Sequence, residues 1–305
     1  MSTAATAEKT LYLQPAWEDI VKALEKAGTF TVRTASGGIA IEQSGAIEEV
    51  FLRGEGQFAS VVQDNMDLRF LLKRLKRGAV HPAHTTVDLY NEAGALATSI
   101  HGADDDAKAT IESLAQRFGT DKAEPDVGGV HPGARATLQD KEVDVAALRD
   151  DWAAMSNVHH FEALLGKHRI GRLQAFRLVG EKYAAELAPE AFQDLLGKLD
   201  KTGEQVMVFV ANRGFVQIFS GPAKAPKRVG HGWEIVHERS KVFVPDSALE
   251  HLWLVHKPTA AGIISSLEIL SEGEDQALAS IFGKHPHGDP QPQSWLKLLN
   301  TLPRK

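Results

Sequence analysis

The chain has 305 residues, 43% of them hydrophobic and 24% charged, and a formal net charge of −6. That balance belongs to a globular protein of one large or two ordinary domains, and its mild acidity argues against nucleic-acid binding through bulk electrostatics. Cysteine is absent, which excludes disulfides, thiolate-ligated zinc and iron–sulfur clusters.

Residues 1–10 read as a polar lead-in without a basic region running into an apolar stretch, so no secretory signal is expected. The longest apolar run, 206–211, is far shorter than a membrane span. The expectation is a soluble, cytoplasmic protein with no membrane span. Trp17, Ile20, Val21 and Leu24 have helical spacing, predicting a helix over 15–27 that Gly28 stops. Strands are expected at 29–34 and 39–41 around the turn signal Gly37-Gly38, then at 50–52 and 58–62. The segment 69–75 fits either a strand or a brief helix. A strand at 85–90, a turn at 91–94 and a return strand at 95–100 precede an amphipathic helix at 107–118.

The polar stretch 120–139, with two prolines and three glycines, reads as the connection between halves. It sets the expected division at 1–140 and 141–305. Helical patterning resumes at 143–155, 158–168 and 172–187. Strands follow at 206–210, 216–219, 233–236, 241–244, 252–255 and 263–270, with a closing helix at 293–299.

The halves repeat. The block 30–45 echoes 209–221, both ending in Ser-Gly, and the block 86–102 echoes 266–283 in the same order. Hairpins with separate helices point to an α+β fold, internally duplicated. Two largely antiparallel sheet units are expected, with helices between and flanking them.

Most local motifs have plain readings. Gly54-Glu-Gly-Gln-Phe-Ala59 matches a dinucleotide-loop pattern, but Ser60-Val-Val continues as a strand where such a loop must open a helix, so it reads as a turn. Among 13 histidines, the His81-Pro-Ala-His84 and His285-Pro-His287 clusters lack a carboxylate at metal-ligand spacing and read as solvated loops. Ser156 is placed to cap a helix that buries Phe161, Leu164 and Leu165. On that helix His159 and His160 differ by about 100° in direction, so only one of them can face a pocket squarely.

Several motifs then occur in order: Asn157-Val-His-His-Phe161, Leu164-Leu-Gly-Lys-His168, Gly171-Arg-Leu-Gln-Ala-Phe176, the 206–222 strand–turn–strand, Lys257-Pro-Thr and Ser265-Ser-Leu-Glu268. Together they resemble the HemS-type family of haemin-degrading and haem-trafficking proteins, cytoplasmic partners of bacterial haem-uptake systems. The likeness is strong from Trp152 onward and looser over 17–102.

The resemblance implies a set of roles. His159 is the proximal haem-iron ligand, with His160 as an alternate during transfer. Arg69, in Met66-Asp-Leu-Arg69, lies over the opposite haem face and is the catalytic candidate, while Arg172 and Lys257 meet the propionates. Phe282 packs on the porphyrin. It stands where the family often has Tyr, as Ser280 and His285 stand for Gln and Arg, so the propionate grip is altered or supplied by Lys284 or His285. The implied activity is haem degradation with iron release. The alternatives are a carrier passing haem from an ABC transporter to a downstream haem oxygenase, and a scaffold that has lost haem binding.

Overall fold

Two antiparallel sheets form the framework of the fold. The computed structural model describes residues 10–81, 85–121, 137–271, 277–286 and 288–305. The first half contains β1 (Leu11–Leu13), α1 (Trp17–Lys22), β2 (Thr29–Ser36), β3 (Ile39–Ala46), β4 (Phe51–Arg53) and β5 (Phe58–Gln63). It continues through β6 (Met66–Phe70), β7 (Leu75–His81), β8 (Thr86–Asn91), β9 (Leu96–Gly102), α2 (Asp105–Phe118) and β10 (Gly119–Thr120). Helices α3 (Val145–Ala153), α4 (His160–His168) and α5 (Arg172–Val179) come next. The second half contains β11 (Ala184–Leu187), α6 (Ala191–Thr202), β12 (Gln205–Ala211), β13 (Phe215–Pro222), β14 (Lys227–Arg228) and β15 (Gly232–His237). Then come β16 (Ser240–Pro245), β17 (His251–Thr259), β18 (Gly262–Leu270), β19 (Ala279–Gly283) and α7 (Gln293–Leu299).

Sheet A runs β10-β1-β7-β8-β9-β2-β3-β16-β15-β14, and sheet B runs β11-β17-β18-β19-β12-β13-β6-β5-β4. Apart from the edge strand β10, the two orders are the same pattern written twice, which is the duplication expected from sequence. The three-strand meanders have changed places: β4–β6 extend the sheet of the second half and β14–β16 that of the first. Each sheet therefore draws strands from both sides of residue 140.

The repeat also has a defined register. Phe30 lies opposite Gly45 and Val206 opposite Gly221, so the counterpart of Phe30 is Val206, three residues before the Phe209 suggested by the sequence match. The Ser-Gly ends coincide, because both hairpins turn over two residues. In the second block, Thr86 opposite His101 corresponds to Ser266 opposite Phe282, as expected.

Alternation explains the layers. Val206, Val208, Val210, Leu252, Leu254, Leu267 and Ile269 point one way from sheet B into a core shared with α6, α7 and Ile39, Ile41 and Val242 of sheet A. Buried glutamines cross between the sheets: Gln43 donates to the Ile218 carbonyl (3.1 Å), and Gln217 to the Val32 carbonyl (3.0 Å) and to Gln43 Oε1 (3.1 Å). Buried hydrogen bonds of this kind hold one sheet at a defined position on the other, although Gln217 Oε1 itself is left without a partner among the described residues.

Several local expectations need correcting. The first helix stops at Lys22, short of Gly28, and the remaining residues form turns. Helical patterning over 172–187 ends at Val179, because Gly180 adopts φ 94°, and Ala184–Leu187 is a strand paired with β17. Helix α6 was not anticipated, although Phe192, Leu195, Leu196 and Leu199 are buried at helical spacing. The segment 69–75 is both things at once: the end of β6, a 3₁₀ turn over Leu72–Arg74 and the start of β7. Gly54, Glu55 and Gly56 all have positive φ, forming the β4–β5 turn in place of a dinucleotide loop. Most of the 120–139 connection, residues 82–84 and His287 lie outside the described residues.

Candidate functional site

Sheet B has a second face, and strand register assigns its members. Trp253, Val255 and Lys257 of β17 lie opposite Glu268, Ser266 and Ile264 of β18. Ser266 and Glu268 lie opposite Phe282 and Ser280 of β19, which pair in turn with Met207 and Phe209 of β12. Phe209 faces Ile218 of β13, and Val216 and Ile218 face Arg69 and Asp67 of β6. One continuous surface thus carries Lys257, Phe282 and Arg69, three of the residues singled out from sequence.

Helices α3–α5 cover one end of this face. Trp152, Phe161, Leu164, Leu165, Phe176 and Val179 pack with Trp253 and Val255 in a single apolar cluster. The Trp152 indole anchors it, donating to the His256 carbonyl (2.8 Å) and standing edge-on to Phe161 at 5.0 Å. Past the helices, Met207, Phe209, Val216 and Phe282 are only half-buried. Phe209 and Phe282 meet edge to face at 5.2 Å. The strip lies over β13, β12 and β19. At about 4.8 Å per strand, β6 and β18 are roughly 19 Å apart across it. A flat ligand the size of a tetrapyrrole fits that span, and the half-exposed aromatic and thioether side chains suit an apolar macrocycle.

The segment leading into α4 is held to the β17–β18 turn. Ser156 does not cap the helix; its carbonyl accepts from Ala260 N (2.9 Å), tying the segment to the β17–β18 turn. The N-cap is His159, which makes no side-chain cap; before it Asn157 Oδ1 accepts from His159 N (2.9 Å) in a local turn, and the helix starts at His160. A cap later than Ser156 leaves both His159 and His160 exposed. His168 and Lys167, at the far end, hold Asp151 of α3 and fix α4 in place, His168 Nε2 lying 2.6 Å from the carboxylate.

Arg172 and Lys257 come together as expected, but neither is free. Both bind Glu268, a carboxylate that is 1% exposed: Lys257 Nζ and Ser266 Oγ (3.1 Å) donate to one oxygen, and Arg172 Nη1 (3.2 Å) to the other. Arg172 also ion-pairs with the exposed Glu162. The Phe161 ring carries both cations, Lys257 at 4.7 Å and Arg172 at 4.9 Å from its centroid. Burial pushes the Glu268 carboxyl up, and the two cations with Ser266 outweigh it, leaving it below its ordinary value. The sequence analysis had Glu268 only as the last letter of a signature. A lone buried acid among apolar strand residues was the signal that it needs cationic partners.

At the other end of the strip, Arg69 lies back on its own strand pair. Nη1 donates to the carbonyls of Val61 (2.8 Å) and Leu68 (3.0 Å), and the guanidinium ion-pairs with Asp67. Phe282 lies on the strip. Lys284 is exposed, whereas His285 turns back so that Nδ1 bonds the Gly283 carbonyl (2.8 Å). Met207 and Phe209 were missed as site residues. Their signal was legible: 206–211 is apolar at every position, so both faces of that strand are built for cover. Among the described residues no cluster of three His, Asp or Glu side chains could hold a bare metal ion, and no helix is long and apolar enough to cross a membrane.

Comparison with known proteins agrees with this geometry. Residues 169–302 match the haemin-degrading HemS.ChuX domain. The hemin transport protein HmuS of Yersinia pestis is 25% identical over 294 residues, covering 94% of this chain and 84% of its own. The structure is similar to that of apo-PhuS, a heme-binding protein from Pseudomonas aeruginosa, with a TM-score of 0.89 and 28% identity over 98% of this chain and 88% of that one. ChuS, an E. coli heme oxygenase, shares the fold at a TM-score of 0.85 and 24% identity, over 97% of this chain and 89% of its own. Matched in its motifs and its overall structure, the chain is similar to the HemS-type proteins throughout, and residues 169–302 carry their haemin-degrading domain.

Proposed function

We propose that the outer face of sheet B binds one haem between His159 and Arg69, and that the protein serves haem degradation with release of iron in the cytoplasm. Haem is then cargo and substrate. The observation that carries this reading is the half-buried apolar strip of Met207, Phe209, Val216 and Phe282 on the face of sheet B that also carries Arg69 and, at its other end, Lys257. His159 supplies a neutral nitrogen to iron. Arg69, charged at every relevant pH, donates toward the opposite haem face. Met207, Phe209 and Phe282 take the edge of the macrocycle. The propionates meet Arg172 and Lys257. Since buried Glu268 already balances one of those cations, a propionate gains most by displacing the exposed Glu162 from Arg172. Relatives named for hemin transport and heme binding support the choice of ligand.

A second reading is favoured by one observation, the withdrawn position of the Arg69 guanidinium. It makes the protein a carrier that takes haem from an ABC transporter and hands it to a separate haem oxygenase. Titration of the apoprotein with ferric haem, followed by absorbance, tests the shared part. A saturating one-to-one Soret shift is expected, lost in His159→Ala and kept in His160→Ala; the reverse pattern overturns the ligand assignment, and no shift in the native protein overturns haem binding. Adding an electron donor in air then separates the readings. Steady loss of the Soret band supports degradation, and a persistent band supports the carrier.

A further inference from the structure

Strand β6 presents two charged side chains to the strip, Asp67 and Arg69. All of the contacts of the Arg69 guanidinium described above lie on β5 and β6, which draws it away from Met207, Phe209 and Phe282. Asp67 is in an unfavourable place for an acid. Its side chain is 19% exposed, and its cross-strand neighbours are Ile218 and Val62. Its Oδ1 faces the guanidinium without an aligned hydrogen bond. Burial pushes the carboxyl up to about 6 against the pull of Arg69. Directly across from Arg69 on β5, Ser60 is 5% exposed and its hydroxyl has no partner among the described residues. A strand facing an apolar strip has no structural need for a buried carboxylate, and a β-branched residue would suit the position better. The one neighbour on which Asp67 acts is Arg69, and the unpartnered Ser60 hydroxyl beside them is an acceptor the guanidinium does not yet use.

We propose that Asp67 is the positioning residue for Arg69: it holds the guanidinium back on β5 and sets how far it reaches over the strip when haem is bound. The inference rests on the reading of Arg69 as the group over the open haem face. Haem and Asp67 compete for one guanidinium, so the residue that withdraws Arg69 also sets how firmly haem is kept. Ser60 offers the arginine an alternative contact along the way.

The test is a double-mutant cycle on the haem-loaded protein with Asp67→Asn, Arg69→Ala and the pair. The readouts are the ferric absorption spectrum and the rate of haem loss to excess apomyoglobin. Asp67→Asn keeps the shape of the side chain and removes its charge. It is expected to slow haem loss by about tenfold and shift the ferric spectrum, while having no further effect once Arg69 is alanine. A change of equal size with and without Arg69 means that Asp67 acts by local packing and overturns the proposal. A silent Asp67→Asn beside an altered Arg69→Ala overturns it alone. An Arg69→Ala protein with the native spectrum and rate overturns the placing of Arg69 over haem, and this inference with it.

Discussion

Glu268→Gln removes the anion at the centre of the charged cluster while keeping its volume and one carbonyl oxygen. The carboxylate is 1% exposed, and its partners Lys257 and Arg172 are 7% and 12% exposed at the side chain. Removing one member of a buried ionic group strands the others, at a typical loss of about 3–5 kcal/mol. Two features place this case at the lower end. Arg172 keeps Glu162, and both cations keep the face of Phe161. The glutamine amide, however, sets N–H donors against an ammonium that wants an acceptor. A loss of about 3 kcal/mol is expected, against a total stability on the order of 5–15 kcal/mol.

Urea denaturation of apo protein at pH 7 reads this directly. The pH dependence provides a second check. The folded Glu268 carboxyl lies below its ordinary value, so its contribution is fully present above the unfolded value and is lost as pH falls through the folded one. The gap between native and variant must therefore narrow on acidification below about pH 4. Haem is the third check: propionates arriving at Arg172 and Lys257 replace the missing anion, so the haem-loaded pair should differ by less than half the apo gap. An apo variant within about 0.5 kcal/mol of the native protein would show that the cluster holds no net charge worth balancing and refute the reasoning.

Two other consequences concern the strip. Phe282→Tyr adds a hydroxyl to a half-buried ring on the haem-facing side, restoring the residue type the family often has there; one new bond to a charged propionate should tighten haem binding by about tenfold in a competition titration, and unchanged affinity would exclude contact at that position. Asp67 has a folded value of about 6 against an ordinary 3.8, so the folded protein binds the extra proton and native stability falls as pH rises from about 4 to about 6. Asp67→Asn should remove that fall, on the order of 2 kcal/mol, in urea midpoints at pH 4.5 and 7.5; parallel profiles for the two proteins would rule it out.

Much of the fold was legible because it is written locally. Alternation over 29–34 and the apolar run 206–211, with two-residue turns at Gly37-Gly38 and Arg213-Gly214, mark hairpins whatever the rest of the chain does. The exchange of meanders was not legible, since β6 joins β13 from about 150 residues away and nothing within the strand names its partner. Strand β11 misled for a different reason. Ala184-Ala-Glu-Leu187 is a run of good helix formers, and pairing with β17 overrides that preference. The site divides the same way. His159, Arg69, Lys257 and Arg172 were found through motif likeness, whereas the roles of Glu268 and Asp67 depend on partners that only the folded register supplies. Arg172, for instance, reaches Glu268 across 96 positions of sequence.

The duplication allows the outer faces of the two sheets to be compared position by position. Superposing the repeats by register puts Phe243 of β16 where β6 has Arg69, His101 where β19 has Phe282, and Asp88 where β18 has Glu268. Thr31 and Arg33 take the places of Met207 and Phe209. The equivalent face of sheet A is therefore polar where sheet B is apolar, and Arg33 and His101 on it are exposed. Asp88 is not a receiver of paired cations; Ser99 (2.5 Å), His81 (3.1 Å) and Tyr90 (3.4 Å) satisfy it within the sheet. Helices α3–α5 pack against the outer face of sheet B, where Phe161 and Arg172 cover the buried Lys257–Glu268 pair. Sheet order alone, common to both halves, makes no site. The site proposed here adds an apolar outer strip and helices α3–α5 to that order.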